Sequence, residues 1–284
     1  MHSSSSLALV ASALALFVAA GCRLEAHTQS AFDDSTQPPK TATRDWNGEP
    51  ISIENAGVNP LSGTGGVEVR VDAAATRIAV AATFSAQADS DKKSEADLSI
   101  RDALQTLVIE ESANGFTIKC GHGQAHGTSG VAASGCKILR VTIPAGSAAK
   151  PHDLTVGDGN GSIRVGLANA GDSAPYVKRL LIDNNGLGEV DVRVLPVAGA
   201  DLVITGERAV RLALPAAFSS QKVTFTVDET DNAKVAARLV LNDFPGMKSG
   251  APYPPAGATV DAAANLNVTS KGPFADDTIT VVKF

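Results

Sequence analysis

Leu154-Thr-Val-Gly-Asp-Gly-Asn-Gly-Ser-Ile-Arg-Val165 sets two short alternating runs around one glycine turn, and its reading decides the fold. Leu154 and Val156 flank Thr155, and Ile163 and Val165 flank Arg164, which is the period-two pattern of a half-buried strand. Gly157-Asp-Gly-Asn-Gly161 between them, like Asp183-Asn-Asn-Gly-Leu-Gly188 farther on, supplies residues that tolerate positive φ. The same alternation runs from Ile51-Ser-Ile53 and Val67-Glu-Val69-Arg-Val71 through Val190-Asp-Val192-Arg-Val194 to Ile279-Thr-Val281. Strands starting at 154, 163, 180, 190, 202, 210 and 223 give, taken every second one, steps of 26, 22 and 21 residues. A two-strand unit repeating at such an interval suits the stacked coils of a solenoid. An antiparallel β-sandwich also has short strands separated by frequent turns, and periodicity alone leaves both open. One helix is predicted, from about Ser90 to Leu104, with Leu98, Ile100 and Leu104 on its apolar side.

The first residues point to export. Leu7 to Gly21 is an uncharged apolar run, too short for the roughly 20 residues that span a bilayer, and it fits the apolar part of a secretory signal. It ends in Ala19-Ala20-Gly21-Cys22, which resembles the bacterial lipobox. That resemblance implies cleavage before Cys22, a diacylglyceryl group on its thiol and an acylated new amino terminus. Several acyl chains together hold a protein firmly on a membrane where one holds weakly. Arg23 after the cysteine resembles the pattern sent to the outer membrane. The predicted organisation is therefore a signal peptide over 1–21, a lipidated Cys22 with a polar, disordered tether over 22–45, and one β-rich domain over 46–284. Trp46 marks where packing is expected to start.

The formal net charge of −6 and the absence of any run of clustered Lys and Arg argue against a nucleic-acid partner. Aromatic residues are only 4% of the chain, so stacking platforms for bases or sugars are scarce.

Chemistry concentrates in Cys120-Gly-His122-Gly-Gln-Ala-His126 and Cys136. In an oxidising compartment the two cysteines left after Cys22 are expected to pair, closing a glycine-rich loop between two strands in the manner of a hairpin. Two thiolates and two imidazoles are also a donor set that zinc favours, with His122 and His126 as candidate ligands, although the spacing matches no standard zinc motif. Asp158-Gly-Asn160 and Asp183-Asn-Asn-Gly186 lack the spacing of a calcium loop and read as Asx turns. Gly157-x-Gly159-x-Gly161 precedes a strand rather than a helix, so it is no dinucleotide fingerprint. The Pro/Gly-rich stretch from Phe244 to Pro255 reads as a loop covering strand ends.

Ile51-Ser-Ile-Glu-Asn55, the Val141-Thr-Ile-Pro144 strand exit and the 154–165 unit together resemble the bacterial adhesin-like domain of exported proteins, a family without an assigned function. The resemblance implies an all-β, single-stranded right-handed β-solenoid-like domain with one short helix, and a cell-surface setting. The functional expectation is a membrane-anchored envelope lipoprotein of the outer membrane. It is non-enzymatic, needs no cofactor, and acts as an adhesin-like scaffold for an unknown envelope partner. The alternative is a lipoprotein binding metal or a small ligand through the 120–136 loop.

Overall fold

The computed structural model describes residues 29–34, 38–56, 65–89, 91–124, 126, 131–159, 161–166, 174–215, 222–227, 238–241, 258–261, 265–270 and 278–283. The elements in chain order begin with β1 (Gln29–Asp34), β2 (Lys40–Thr41), β3 (Ile51–Asn55), β4 (Gly66–Asp72), β5 (Ala79–Asp89) and α1 (Lys93–Gln105). Next come β6 (Val108–Ser112), β7 (Gly115–Cys120), β8 (Val131–Pro144), β9 (His152–Asp158), β10 (Ser162–Val165) and β11 (Tyr176–Asn184). The chain continues with β12 (Val190–Arg193), β13 (Leu195–Gly206), β14 (Val210–Leu214) and β15 (Lys222–Val227). It ends with β16 (Arg238–Leu241), β17 (Ala258–Asp261), β18 (Asn265–Ser270) and β19 (Thr278–Lys283).

These strands form two mixed, open sheets. Sheet A runs β1-β5-β8-β4-β10-β12-β14-β19-β16, with β2 beside β5, and sheet B runs β17-β15-β18-β13-β11-β9-β3-β7-β6. The all-β class with one short helix is as expected. From β8 to β14 the chain alternates sheets strand by strand: β9, β11 and β13 are parallel neighbours in sheet B, and β10, β12 and β14 in sheet A. Antiparallel pairs lie toward the ends, at β1–β5, β5–β8, β6–β7 and β15–β17.

Parallel pairing in a common register turns the alternation into rows. Phe116, Ile51, Leu154, Leu180, Leu202 and Leu266 stand in line across sheet B, with Ile118, Ile53, Val156, Ile182, Ile204 and Val268 two residues on. Sheet A answers with Leu139, Val67, Ile163, Val190, Val210 and Ile279. All are buried in one apolar cluster shared by both sheets. Each such side chain contributes about 1.5–3 kcal/mol on burial, and a one-residue slip would expose a whole row.

The structure departs from the sequence reading in two places. Strand β15, at Val223, does not sit beside β13; β18 lies between them, and β3 likewise lies between β7 and β9. Spacing along the chain counts units but does not say which unit stacks on which. In α1, Ala96, Ser99, Ile100, Ala103 and Leu104 form the buried side, while Leu98 is 42% exposed. A helix turns about 100° per residue, so Leu98 and Ile100 cannot share a face. The structure also describes residues before Trp46. β1 pairs with the edge of β5, Ala42 is buried, and Glu111 accepts from the Thr43 and Arg44 backbone N–H groups at 2.5 and 3.2 Å. Backbone pairing with an open strand edge needs no apolar side chains. Residues 1–21, Cys22 and the Phe244–Pro255 loop lie outside the described residues.

Candidate functional site

Three groups of side chains are held by this frame. The first is the cysteine loop. Cys120 is the last residue of β7 in sheet B and Cys136 belongs to β8 in sheet A, and they form a disulfide with Cα atoms 5.9 Å apart. The expected pairing is present, but it ties one sheet to the other rather than closing a hairpin within one. The chain turns from sheet B to sheet A between the two cysteines, as it does after β9 and β11. Gly121 N–H donates to Thr106 Oγ1 at 2.9 Å and Gly123 N–H to the Ser134 carbonyl at 3.3 Å, so the start of the loop rests on the end of α1 and on β8. His126 Nε2 meets Asp102 Oδ2 of α1 at 2.6 Å, whereas the exposed His122 bridges Gly135 through its backbone. Among the described residues, no group of three or more His, Cys, Asp or Glu is placed to hold a metal ion. The disulfide removes both thiolates from the ligand set first considered.

The second group surrounds His152, where β9 begins. His152 is fully buried, its ring stacked on Trp46 at 4.2 Å between centroids, and its Nε2–H donates to the Pro144 carbonyl at 2.9 Å. Burial pushes its pKa down from 6.5 to about 4, and the nearby Lys150 charge acts in the same direction. Lys150 Nζ lies 5.1 Å over the Trp46 ring. A shallow cleft of about 360 Å³ opens beside this stack, between Asp45–Asn47, Ala73–Thr76 and Pro144–Ser147. Trp46 is only 5% exposed, so its ring packs inward and offers no open platform for a ligand.

The third group is the outward face of sheet A. Common register places Arg140, Glu68, Arg164, Asp191 and Arg211 in one row across β8, β4, β10, β12 and β14. Arg70 and Arg193 stand two residues farther along β4 and β12. Glu68 Oε2 accepts from Arg140 and Arg70, each at 2.9 Å, and its other oxygen lies 3.9 Å from Arg164. Burial works to raise the Glu68 pKa, but Arg140 and Arg70 outweigh it and hold the carboxyl below its usual value. Asp191 behaves oppositely: burial dominates and raises its pKa despite Arg211 at 3.6 Å. No run of basic residues in the sequence announces this face. Its signal is the middle residue of each Val-x-Val run, visible only once the strands are known to be in register.

The two Asx-rich turns work as read from the sequence. Asp158 Oδ2 accepts from Gly161 N–H at 2.9 Å and Asn184 Oδ1 from Gly186 N–H at 3.0 Å. Both side chains are buried, and they share a row with Asn55 and Cys120 at the corner where sheet B strands end.

No family model and no curated protein matches the chain. A crystal structure of a "putative cell adhesion protein" from Clostridium sporogenes aligns over 87% of this chain and 100% of its own, with a TM-score of 0.46 and 11% identity.

Proposed function

We propose that this chain is an exported, lipid-anchored envelope scaffold whose β domain is wound as a solenoid and binds through its broad strand faces. The observation that carries the reading is the buried Cys120–Cys136 disulfide between the two sheets, since such links form and persist in oxidising compartments. The apolar segment ending at Cys22 supplies the matching address and anchor. Solenoid winding is supported by the strict alternation of strands between two parallel-paired stacks from β9 to β14. Binding rather than catalysis is supported by the outward charged row of sheet A, which is spread over five strands and ion-paired along its length. No helix among the described residues is long and apolar enough to cross a membrane.

The test is fractionation of a bacterial host expressing the full chain and its Cys22→Ala variant. The full chain is expected in the membrane fraction, with a mass increment for acyl chains and an oxidised Cys120–Cys136 pair. The variant is expected to leave the membrane fraction. A full chain found reduced in the cytosol would overturn the proposal.

A further inference from the structure

We infer that the outward face of sheet A is a docking surface for an anionic polysaccharide. The inference builds on the reading as an exported scaffold and names the face and the chemistry of its partner. The fold gathers five arginines from sequence positions 70 to 211 onto this one surface: Arg70, Arg140, Arg164, Arg193 and Arg211. Two carboxylates, Glu68 and Asp191, lie within the same rows. Glu189 adds a third at the corner beside Asp191, and Asp72 is turned back to accept from Ala74 N–H at 2.8 Å. Cations outnumber anions here although the whole chain carries a net charge of −6.

The charges are also layered by height. Side-chain exposure is 56% for both Arg164 and Arg211 but 17% for Glu68 and 24% for Asp191. The carboxylates therefore sit low, fixing the guanidinium groups above them, and an approaching partner meets the arginines first. Guanidinium groups held this way are pre-organised to donate forked pairs of hydrogen bonds to carboxylate, sulfate or phosphate oxygens.

Spacing selects a linear polymer. Adjacent strands lie about 4.8 Å apart, so Arg140, Arg164 and Arg211, on every second strand, recur at about 10 Å along the stack. Arg70 and Arg193 occupy the intervening strands one row over, giving a staggered double track. A repeat of about two strand spacings is comparable to the length of a disaccharide, so an extended glycan with an acidic group on each residue can present every second one to the arginines in sequence. No aromatic residue lies in these rows, so recognition rests on charge and not on ring stacking.

The experiment uses the Cys22→Ala chain, exported and purified with its disulfide intact, and its Arg164→Gln/Arg211→Gln variant. Binding is measured to oligogalacturonate, to neutral dextran of similar length and to phosphatidylglycerol vesicles. The expected result is binding to oligogalacturonate alone, weakened about tenfold or more between low and physiological salt and about tenfold or more by the double substitution, with the variant still folded at the assay temperature and its far-UV circular dichroism unchanged. No binding of oligogalacturonate at low salt, equal binding by the variant, or binding to vesicles instead would overturn the inference. An exported, anchored chain that ignores oligogalacturonate sinks this inference alone. A chain that stays in the cytosol sinks the proposed function whatever it binds.

Discussion

The imidazole of His152 is stacked on the indole of Trp46 with ring centroids 4.2 Å apart, and no part of His152 reaches solvent. Its Nε2–H is spent on the Pro144 carbonyl, and its Nδ1 is buried with no hydrogen-bond partner among the described residues. A second proton would have to sit on that buried nitrogen, with the Lys150 ammonium nearby, so the folded chain holds His152 neutral.

The consequence is acid lability of a defined sign. The folded pKa, about 4, lies below the ordinary 6.5, so between these values the unfolded chain binds the proton and the folded chain does not. Stability from a neutral His152 is full above pH 6.5, declines as pH falls toward 4, and amounts to about 3 kcal/mol. Trp46 is the single tryptophan, so its emission reports this stack directly. Denaturant melts followed by Trp46 fluorescence should lose stability over that window, and His152→Phe should flatten the slope. An unchanged slope in the variant would assign the acid response to other groups.

The disulfide makes a second expectation. It spans 16 residues of sequence and joins the two sheets, and the chain-entropy relation assigns a loop of that size about 3 kcal/mol. Cys120→Ser/Cys136→Ser should lower the melting temperature accordingly. Hydrogen exchange should rise first in β7, in β8 and at the end of α1, where Gly121 and Gly123 are bonded. Exchange rising uniformly over both sheets would mean that the link does not hold this end in particular.

Close glycine packing makes a third. A Cβ on Gly161 would stand 1.9 Å from the Gly65 carbonyl oxygen, and one on Gly188 would stand 2.3 Å from the Gly161 carbonyl carbon. Gly66, at φ +143, would place its own Cβ 1.9 Å from the Ser162 oxygen. The turns thus nest backbone on backbone as each unit meets the next, and only glycine fits. Gly161→Ala is expected to destabilise by more than about 2 kcal/mol, beyond the ordinary cost of a surface change. Gly199→Ala, where nothing lies within 4 Å but φ is +72, should cost only about 1 kcal/mol of backbone strain. Urea melts of the two variants check the order.

The 154–165 unit shows what the sequence makes legible. Alternation names the buried residues, because in a strand the face is set by parity alone, and Leu154, Val156, Ile163 and Val165 are all buried. The Asx turns were readable because Asp158 and Asn184 bond within three residues. Stacking order was not, since β18 reaches its place between β13 and β15 through pairing with distant chain. The arginine face was hidden for the same reason: Arg140 and Arg211 are far apart in sequence and share a row only through the register of three intervening strands. The Trp46–His152 stack joins residues about a hundred positions apart and carries no local signal.

Glu68 and Asp191 occupy equivalent places in the outward row, and they should respond oppositely to losing their charge. Glu68 is held by Arg140 and Arg70 at 2.9 Å, and its pKa is lowered, so ionisation is favoured by folding. Asp191 has Oδ1 buried without a hydrogen-bond partner among the described residues, and burial raises its pKa, so folding disfavours its charge. Glu68→Gln is expected to destabilise by about 1 kcal/mol at neutral pH, because half-buried guanidinium groups lose their counter-charge. That loss shrinks in acid, where the wild-type Glu68 becomes protonated too. Asp191→Asn is expected to be neutral or stabilising by up to about 1 kcal/mol at the same pH, since it removes a desolvated charge that Arg211 at 3.6 Å does not fully offset. Parallel urea melts at neutral pH decide between them. If both substitutions destabilise equally, the row acts as one uniform ladder and the distinction drawn here between its two acids fails.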